Sequence, residues 1–582
     1  MFKIVTVLMV LVLSAILQTT AFPFEGLRYS ARNSILEKRT MFDVLRMDET
    51  EYEPVPYSVS IPYGTIQGKP SEDGKVISFL GIPFAAPPVG ANRFRKPQPV
   101  QHISVESIFD ATQMGNICIQ DPSETSDHAP NQSEDCLNLN VYTPARMLGN
   151  SGRKLPVLVF IYGGSFTSGK NSNPLFNGAS FLQVVAQERQ TVIVVPNYRV
   201  GVFGFLSSME LMREGSLNAG LMDQAAAFGW VKQNIEAFGG DSSLITAWGQ
   251  SAGAISIATH LMQYGGKNPD NTPFDRMILQ SGGLPPVLNT PYQGQNDFDK
   301  VALSVNCPKT SAVPVMDCLR SVDASTLFKE SFKLQLIYRP SVDGTYITEQ
   351  PYKAIVGQRL DRVPAIMLGN TDEGTYFAIK AGVDSPEAAR KFMHKSLDFL
   401  KLPMYEQLDA LYPVDGPISP VFRGGAPYGD GIFNCPSRQI SQFLSNQGDD
   451  AEVYKGRFNV KPSLLPPGKD ALKNAGVYHG AELAYTWNYS SLLDPHNGDR
   501  AISLGLITAF TDFAHGKVPR LLDTGLPSNQ LPTAWPIYKQ SDQLQVVWQH
   551  ESPLTLETIT EDMKQKCKFW DHIFTTISKV LT

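Results

Sequence analysis

Charge is scarce in this sequence. Asp, Glu, Lys and Arg make up 18% of its 582 residues, and no long Lys/Arg run occurs. With a net charge of -6 there is no basic surface of the kind that neutralises phosphates, so no nucleic acid partner is expected. No apolar stretch reaches the roughly 20 residues that a bilayer-spanning helix requires, which argues against a stable membrane anchor. From Tyr63 onward there is no low-complexity linker, charge block or internal repeat, and no metal or nucleotide motif stands out. No cofactor is expected. The composition is instead apolar: hydrophobic residues are 42% of the chain, with 31 Phe and 21 Tyr, enough for a large packed core and too much for general disorder.

The N-terminus reads as an address. Lys3 supplies a positive start, Ile4 to Ile16 is nearly unbroken apolar sequence, and Thr19-Thr20-Ala21 offers small residues for cleavage, so residues 1–21 are expected to be a signal peptide. The dibasic pair Lys38-Arg39 is a candidate processing site that would make 22–39 a propeptide, leaving 53–582 as a single domain. Secretion to the extracellular space fits six cysteines, an even number that suits an oxidising compartment. It also fits two glycosylation sequons, at Asn131 and Asn488. Nothing in the sequence indicates an oligomeric state.

Continuous apolar runs, Leu155 to Tyr162 and Thr191 to Val195, predict strands covered on both faces. Asn218 to Phe238 has helical spacing and ends at Gly239-Gly240. A short strand, Leu244 to Trp248, and a small-residue helix, Ala252 to Met262, come next, and the runs Met277 to Leu279 and Ala365 to Leu368 add further strands. Alternation of strand and helix predicts an α/β fold with a large, mostly parallel sheet flanked by helices. In such sheets sites form beyond the C-terminal strand ends.

Gly249-Gln250-Ser251-Ala252-Gly253 occupies that place, between a strand and a helix. Glycines on either side allow a serine to hold a strained backbone with its hydroxyl presented above the sheet, the geometry of a nucleophile elbow. A serine hydroxyl needs a base, and the oxyanion it creates needs preplaced donors. The donors expected are the N–H of Ala252 and those of the loop Tyr162-Gly163-Gly164-Ser165-Phe166. In this fold an Asp or Glu and then a His come after the serine. Asp372 and Glu373 lie just past the strand at Ala365 to Leu368, but His394, His479, His496, His515, His550 and His572 all lie beyond them. Spacing does not choose among six.

The motifs together resemble the type-B carboxylesterase/lipase family, the cholinesterase-like branch of the α/β hydrolases, and are most like secreted fungal esterases and lipases. The similarity runs from about Tyr63 to Phe569 and rests on Phe79-Leu80-Gly81-Ile82-Pro83-Phe84, Arg93-Phe94, Ser133-Glu134-Asp135-Cys136-Leu137-Asn138 and Asn197-Tyr198-Arg199-Val200-Gly201. Gly369-Asn370-Thr371-Asp372-Glu373-Gly374 is similar to the family's acid loop and Gly476-Val477-Tyr478-His479-Gly480-Ala481-Glu482 to its histidine loop. The resemblance implies a serine hydrolase of carboxylic esters with Ser251 as nucleophile, His479 as base, Glu373 as orienting acid, and an oxyanion hole from Gly164, Ser165 and Ala252. It also implies the disulfides Cys118 with Cys136, Cys307 with Cys318, and Cys435 with Cys567.

Three departures narrow the expectation. Ser165 stands where many members have glycine, which keeps the N–H but narrows the acyl pocket. Gln250 stands where the family commonly has Glu, removing an attraction for cationic substrates and a perturbation of His479. No tryptophan lies between Cys118 and Cys136, which argues against cation–π capture of a quaternary ammonium and so against cholinesterase activity. The same loop is short and mostly polar, a poor lipid-facing lid, which favours soluble or moderately apolar esters over long-chain triglycerides. A triacylglycerol lipase or sterol-ester hydrolase is the second reading. A non-catalytic adhesion or binding protein on the same fold is the third, and the presence of all three triad residues counts against it.

Overall fold

The computed structural model describes residues 57–100, 108–124, 131–149, 152–266, 272–309, 313–397, 399–400, 402–446, 451–521, 533–550 and 554–580. The segment 1–21 expected to be a signal peptide, and the dibasic pair Lys38-Arg39, lie outside them.

The apolar runs become a sheet of eleven strands among the described residues. In chain order these are β1 (Lys69–Pro70), β2 (Val76–Pro83), β3 (Asn138–Pro144), β4 (Leu155–Ile161), β5 (Val192–Pro196), β6 (Gly240–Gln250), β7 (Arg276–Gln280), β8 (Ala365–Asn370), β9 (Val453–Phe458), β10 (Leu544–Trp548) and β11 (Leu554–Thr558). Their spatial order is β11-β10-β9-β8-β7-β6-β4-β5-β3-β2-β1. The neighbours from β5 through β4, β6, β7, β8 and β9 to β10 are all parallel, while the pairs at both edges are antiparallel. Every residue of β4 and of β5 is buried, the burial expected of strands covered on both faces.

Register decides what meets at the sheet's C-terminal edge. Gly249 pairs with Ile161, Gln250 with Gln280, Gln280 with Leu368 and Asn370 with Phe458, so the loops after five adjacent strands emerge side by side. The helices α1 (Ala219–Asn234), α2 (Ala252–His260), α3 (Cys435–Ser445) and α4 (Asp499–Ala514) pack on strands of the sheet, and α5 (Glu561–Val580) packs on α3. After α1 a single 3-10 turn ends at Gly239, whose φ of +83° is the left-handed stop anticipated from the Gly-Gly pair. Strand β6 is longer than the predicted Leu244 to Trp248, reaching Gly240 through an irregularity in its register with β4. Beneath the elbow Trp248 stacks on Trp487 at 4.5 Å, with Phe160, Phe181 and Phe510 against the pair. This aromatic cluster gives the strand end a rigid floor.

All six cysteines are paired, as Cys118–Cys136, Cys307–Cys318 and Cys435–Cys567. The first loop is tied to the second by Arg93, which forms a bidentate pair with Glu134 at 2.6 and 2.7 Å and donates to the Leu319 carbonyl at 2.9 Å.

Candidate active site

Ser251 joins the end of β6 to the start of α2 with φ +56° and ψ -126°. A non-glycine residue held there costs about 1–3 kcal/mol and persists only when its surroundings enforce it. They do so by close packing. A Cβ on Gly253 would lie 1.9 Å from the Ile161 carbonyl oxygen, and one on Gly249 would lie 2.7 Å from the Gly253 carbonyl carbon. The Ser251 N–H donates to the Gln280 carbonyl at 2.9 Å, fastening the turn to β7.

The loop after β4 lies against this turn: a Cβ on Gly163 would meet the Ser251 Cβ at 2.7 Å. Gly164 has φ +117° and no room for a side chain, the Ser168 carbonyl oxygen standing 2.2 Å from where its Cβ would be. Ser165 comes next at φ +55°, so the residue that departs from glycine adopts a left-handed conformation as a serine. The N–H groups of Gly164, Ser165 and Ala252 donate to no backbone acceptor among the described residues. Tyr162 and Tyr198 brace the loop from below. Their rings stack at 4.6 Å, the Tyr198 hydroxyl donates to the Tyr162 carbonyl at 2.9 Å, and the Gly201 N–H donates to the Phe166 carbonyl at 2.7 Å. Arg199 anchors this segment to α1 through a buried bidentate pair with Asp223, at 2.7 and 2.8 Å.

Of the six later histidines, His479 is the one against the acid loop. Its Nδ1 lies 2.6 Å from Glu373 Oε2, and Glu373 Oε1 accepts the Asn370 N–H at 2.7 Å. Glu373 is buried and His479 nearly so. With Nδ1 donating to the carboxylate, Nε2 carries the lone pair. Nε2 is 3.3 Å from Gln250 Nε2, and no hydrogen bond joins it to the Ser251 hydroxyl in this structure. Asp372, the other acid of the loop, turns away from the imidazole. Its Oδ2 accepts the Val477 N–H at 2.8 Å and its own N–H donates to the Val477 carbonyl at 3.0 Å, so it pins the histidine loop to the acid loop. His394 pairs with Asp409, His550 with Asp499 and His515 with the Gln190 carbonyl, each away from Glu373.

Phe433 and Phe377 were not singled out in the sequence, and Glu482 stood there only as the last residue of the histidine-loop motif. Phe433, in one turn of π-helix (Asp430–Asn434) leading into α3, stacks on the His479 ring at 4.4 Å, and Phe377 lies 5.1 Å from it. No local pattern links residue 433 to the site, although π turns recur at functional positions. Glu482, three residues after His479, is fully buried and accepts from the Asn370 and Gln280 side chains. Burial, and next the nearby Glu373 charge, push its carboxyl up to about 7.

A parallel sheet with a strained serine between strand and helix, and a buried His–Glu pair on the neighbouring loops, defines the α/β-hydrolase class. The chain belongs to the carboxylesterase family, which matches residues 56–413 and 424–570. It is 30% identical over 527 residues to the para-nitrobenzyl esterase of Bacillus subtilis strain 168, covering 88% of this chain and 98% of the relative. It is 32% identical over 508 residues to Lipase 4 of Diutina rugosa, covering 80% and 87%. The crystal structure of Aspergillus niger EstA superposes with a TM-score of 0.77 at 29% identity, covering 90% of this chain and 99% of that one. Family and fold together class the chain as a carboxylic-ester hydrolase of the cholinesterase-like branch, acting on ester substrates.

Proposed function

We propose that the protein is a secreted serine esterase that cleaves its substrate through an acyl-enzyme on Ser251. The observation that carries this reading is the 2.6 Å contact of His479 Nδ1 with buried Glu373, beside a serine held at φ +56°. Ser251 Oγ attacks the ester carbonyl carbon while His479 Nε2 takes its proton, which requires Gln250 to release that nitrogen. The carbonyl electron pair moves to oxygen, where the N–H groups of Gly164, Ser165 and Ala252 stabilise it. Collapse breaks the bond to the alcohol oxygen, and His479 returns the proton to that leaving group. Water then repeats the sequence on the acyl-enzyme, releasing the carboxylic acid. Glu373 holds the tautomer and offsets the imidazolium charge in both halves.

Secretion is supported by the leader at 1–21, by the three disulfides and by the family's secreted members, among them secreted lipase 1 of Botryotinia fuckeliana. No described helix is long and apolar enough to cross a membrane. Asn131 is exposed and Asn488 half-buried, which makes the first the better glycan acceptor. The folded enzyme is proposed as a single domain from 53 to 582, preceded by a propeptide at 22–39. Soluble or moderately apolar esters are the proposed substrates; a lipase is the second reading, favoured by the likeness to Lipase 4.

Hydrolysis of p-nitrophenyl esters from acetate to palmitate, by wild type and Ser251→Ala, tests both. Short-chain activity that vanishes in the variant supports the esterase, while a steep rise on long chains above their solubility limit supports the lipase. Equal activity in both proteins would refute the role of Ser251.

A further inference from the structure

A cavity of about 240 Å³ is lined by the end of β8, by Lys455 to Arg457 of β9, by Gln545 at the start of β10, and by residues of α3 and the first turn of α5. Glu373 and Phe433 form part of its wall, yet ester hydrolysis at Ser251 gives the space itself no task. Its charge is unbalanced. Arg457 is matched by a bidentate pair with Glu557, at 2.6 and 2.7 Å, and Glu373 is matched by His479. Lys455 is not matched. It is 7% exposed, and its ammonium donates to the Ser437 hydroxyl at 3.2 Å but pairs with no carboxylate among the described residues.

Arg438, in α3 next to Ser437, lines the same cavity. Its Nε donates to Gln543 at 3.1 Å, and its nearest carboxylate oxygen, on Asp571, stands 3.9 Å from NH1. Burial, and then the Arg438 charge, pull the Lys455 ammonium down to about 7. The Ser437 hydroxyl accepts from Lys455, leaving its own hydrogen to donate. A buried cation with unused donors is costly, and an anion that accepts from it offsets that cost.

The remaining walls select the anion. Phe433, Ile559 and Met563 give the cavity an apolar side, and its volume exceeds what a halide fills. The two oxygens of a carboxylate suit the fork of a guanidinium and a neighbouring ammonium. We infer that this cavity is a binding site for a short alkyl carboxylate, held by Lys455, Ser437 and Arg438 with its chain against Phe433, Ile559 and Met563. The site is separate from the oxyanion donors, so the inference stands whether or not Ser251 is the nucleophile.

Calorimetric titration of the full-length protein with butyrate, chloride and phosphate at constant ionic strength tests it. Butyrate is expected to bind wild type and Ser251→Ala alike, with Kd on the order of 1 mM. Binding should weaken at least about tenfold in Lys455→Met and in Arg438→Gln. Lys455→Met removes a buried charge at near-constant volume, so it should fold with a raised Tm, which scanning calorimetry checks. Undiminished butyrate binding in Lys455→Met, or no binding to wild type, would overturn the site. Phosphate or chloride binding as tightly as butyrate would overturn its assignment to a carboxylate.

Discussion

Glu373 shows what sequence alone does and does not decide at the scale of one residue. The acid loop was legible as a polar turn after an apolar strand, but Asp372 and Glu373 are adjacent carboxylates with the same local signal. Local pattern does not separate them; the family resemblance points to Glu373, and the fold gives Asp372 to the backbone of Val477 and Glu373 to His479. Glu373→Gln should lower kcat/KM by about a thousandfold, since an amide oriented by the Asn370 N–H neither fixes the tautomer nor offsets imidazolium charge. Asp372→Asn should act mainly through the position of the histidine loop. A second test concerns Gln250, whose amide is 3.3 Å from His479 Nε2. Gln250→Glu places a negative charge beside the imidazole, which stabilises the imidazolium. The free base is then reached only at higher pH, so the acid limb of the kcat/KM profile should move upward. A profile that does not move would place the Gln250 side chain elsewhere.

At the scale of elements, the strands that carry the site were readable because both faces are covered and the apolar runs are unbroken. The antiparallel edge was not. Strand β3 buries Asn138, Asn140 and Thr143 among its apolar residues, and each finds a partner: Asn138 donates to the Asn116 carbonyl at 2.8 Å, Asn140 accepts the Gly81 N–H at 2.9 Å and Thr143 donates to the Phe238 carbonyl at 2.8 Å. Hydropathy sees polar residues there and misses the strand. Lys455 in β9 escaped notice for the same reason. The disulfide from Cys435, at the head of α3, to Cys567 in α5 closes a separation of 132 residues. Replacing both with Ala should cost about 4–5 kcal/mol by loop closure and lower Tm in a thermal melt, while leaving the His479–Glu373 contact unaltered. Tyr198→Phe removes a brace under the Gly163-Gly164 loop and should reduce kcat more than it raises KM, because the oxyanion donors act in the transition state.

Over the whole molecule, stability in acid should depend on groups far from the chemistry. His260 in α2 is fully buried between the Tyr346 hydroxyl at 2.6 Å and Gln224 at 3.1 Å, and burial lowers its pKa from 6.5 to about 3. Because the folded value lies below the unfolded one, the unfolded chain binds the extra proton between those limits. His260 therefore contributes stability above pH 6.5 that is lost as pH falls toward 3. The Tm deficit of His260→Gln relative to wild type should shrink steadily from about pH 7 to about pH 4, and a constant deficit would contradict this.

The acyl-enzyme mechanism is most directly tested by intact-mass and peptide mapping after reaction with a fluorophosphonate, which forms a covalent bond with an activated serine. One adduct per chain is expected, on the peptide holding Ser251, with esterase activity lost in proportion to labelling and no adduct on Ser251→Ala. Labelling of another serine, or esterase activity that survives full labelling of Ser251, would contradict the mechanism.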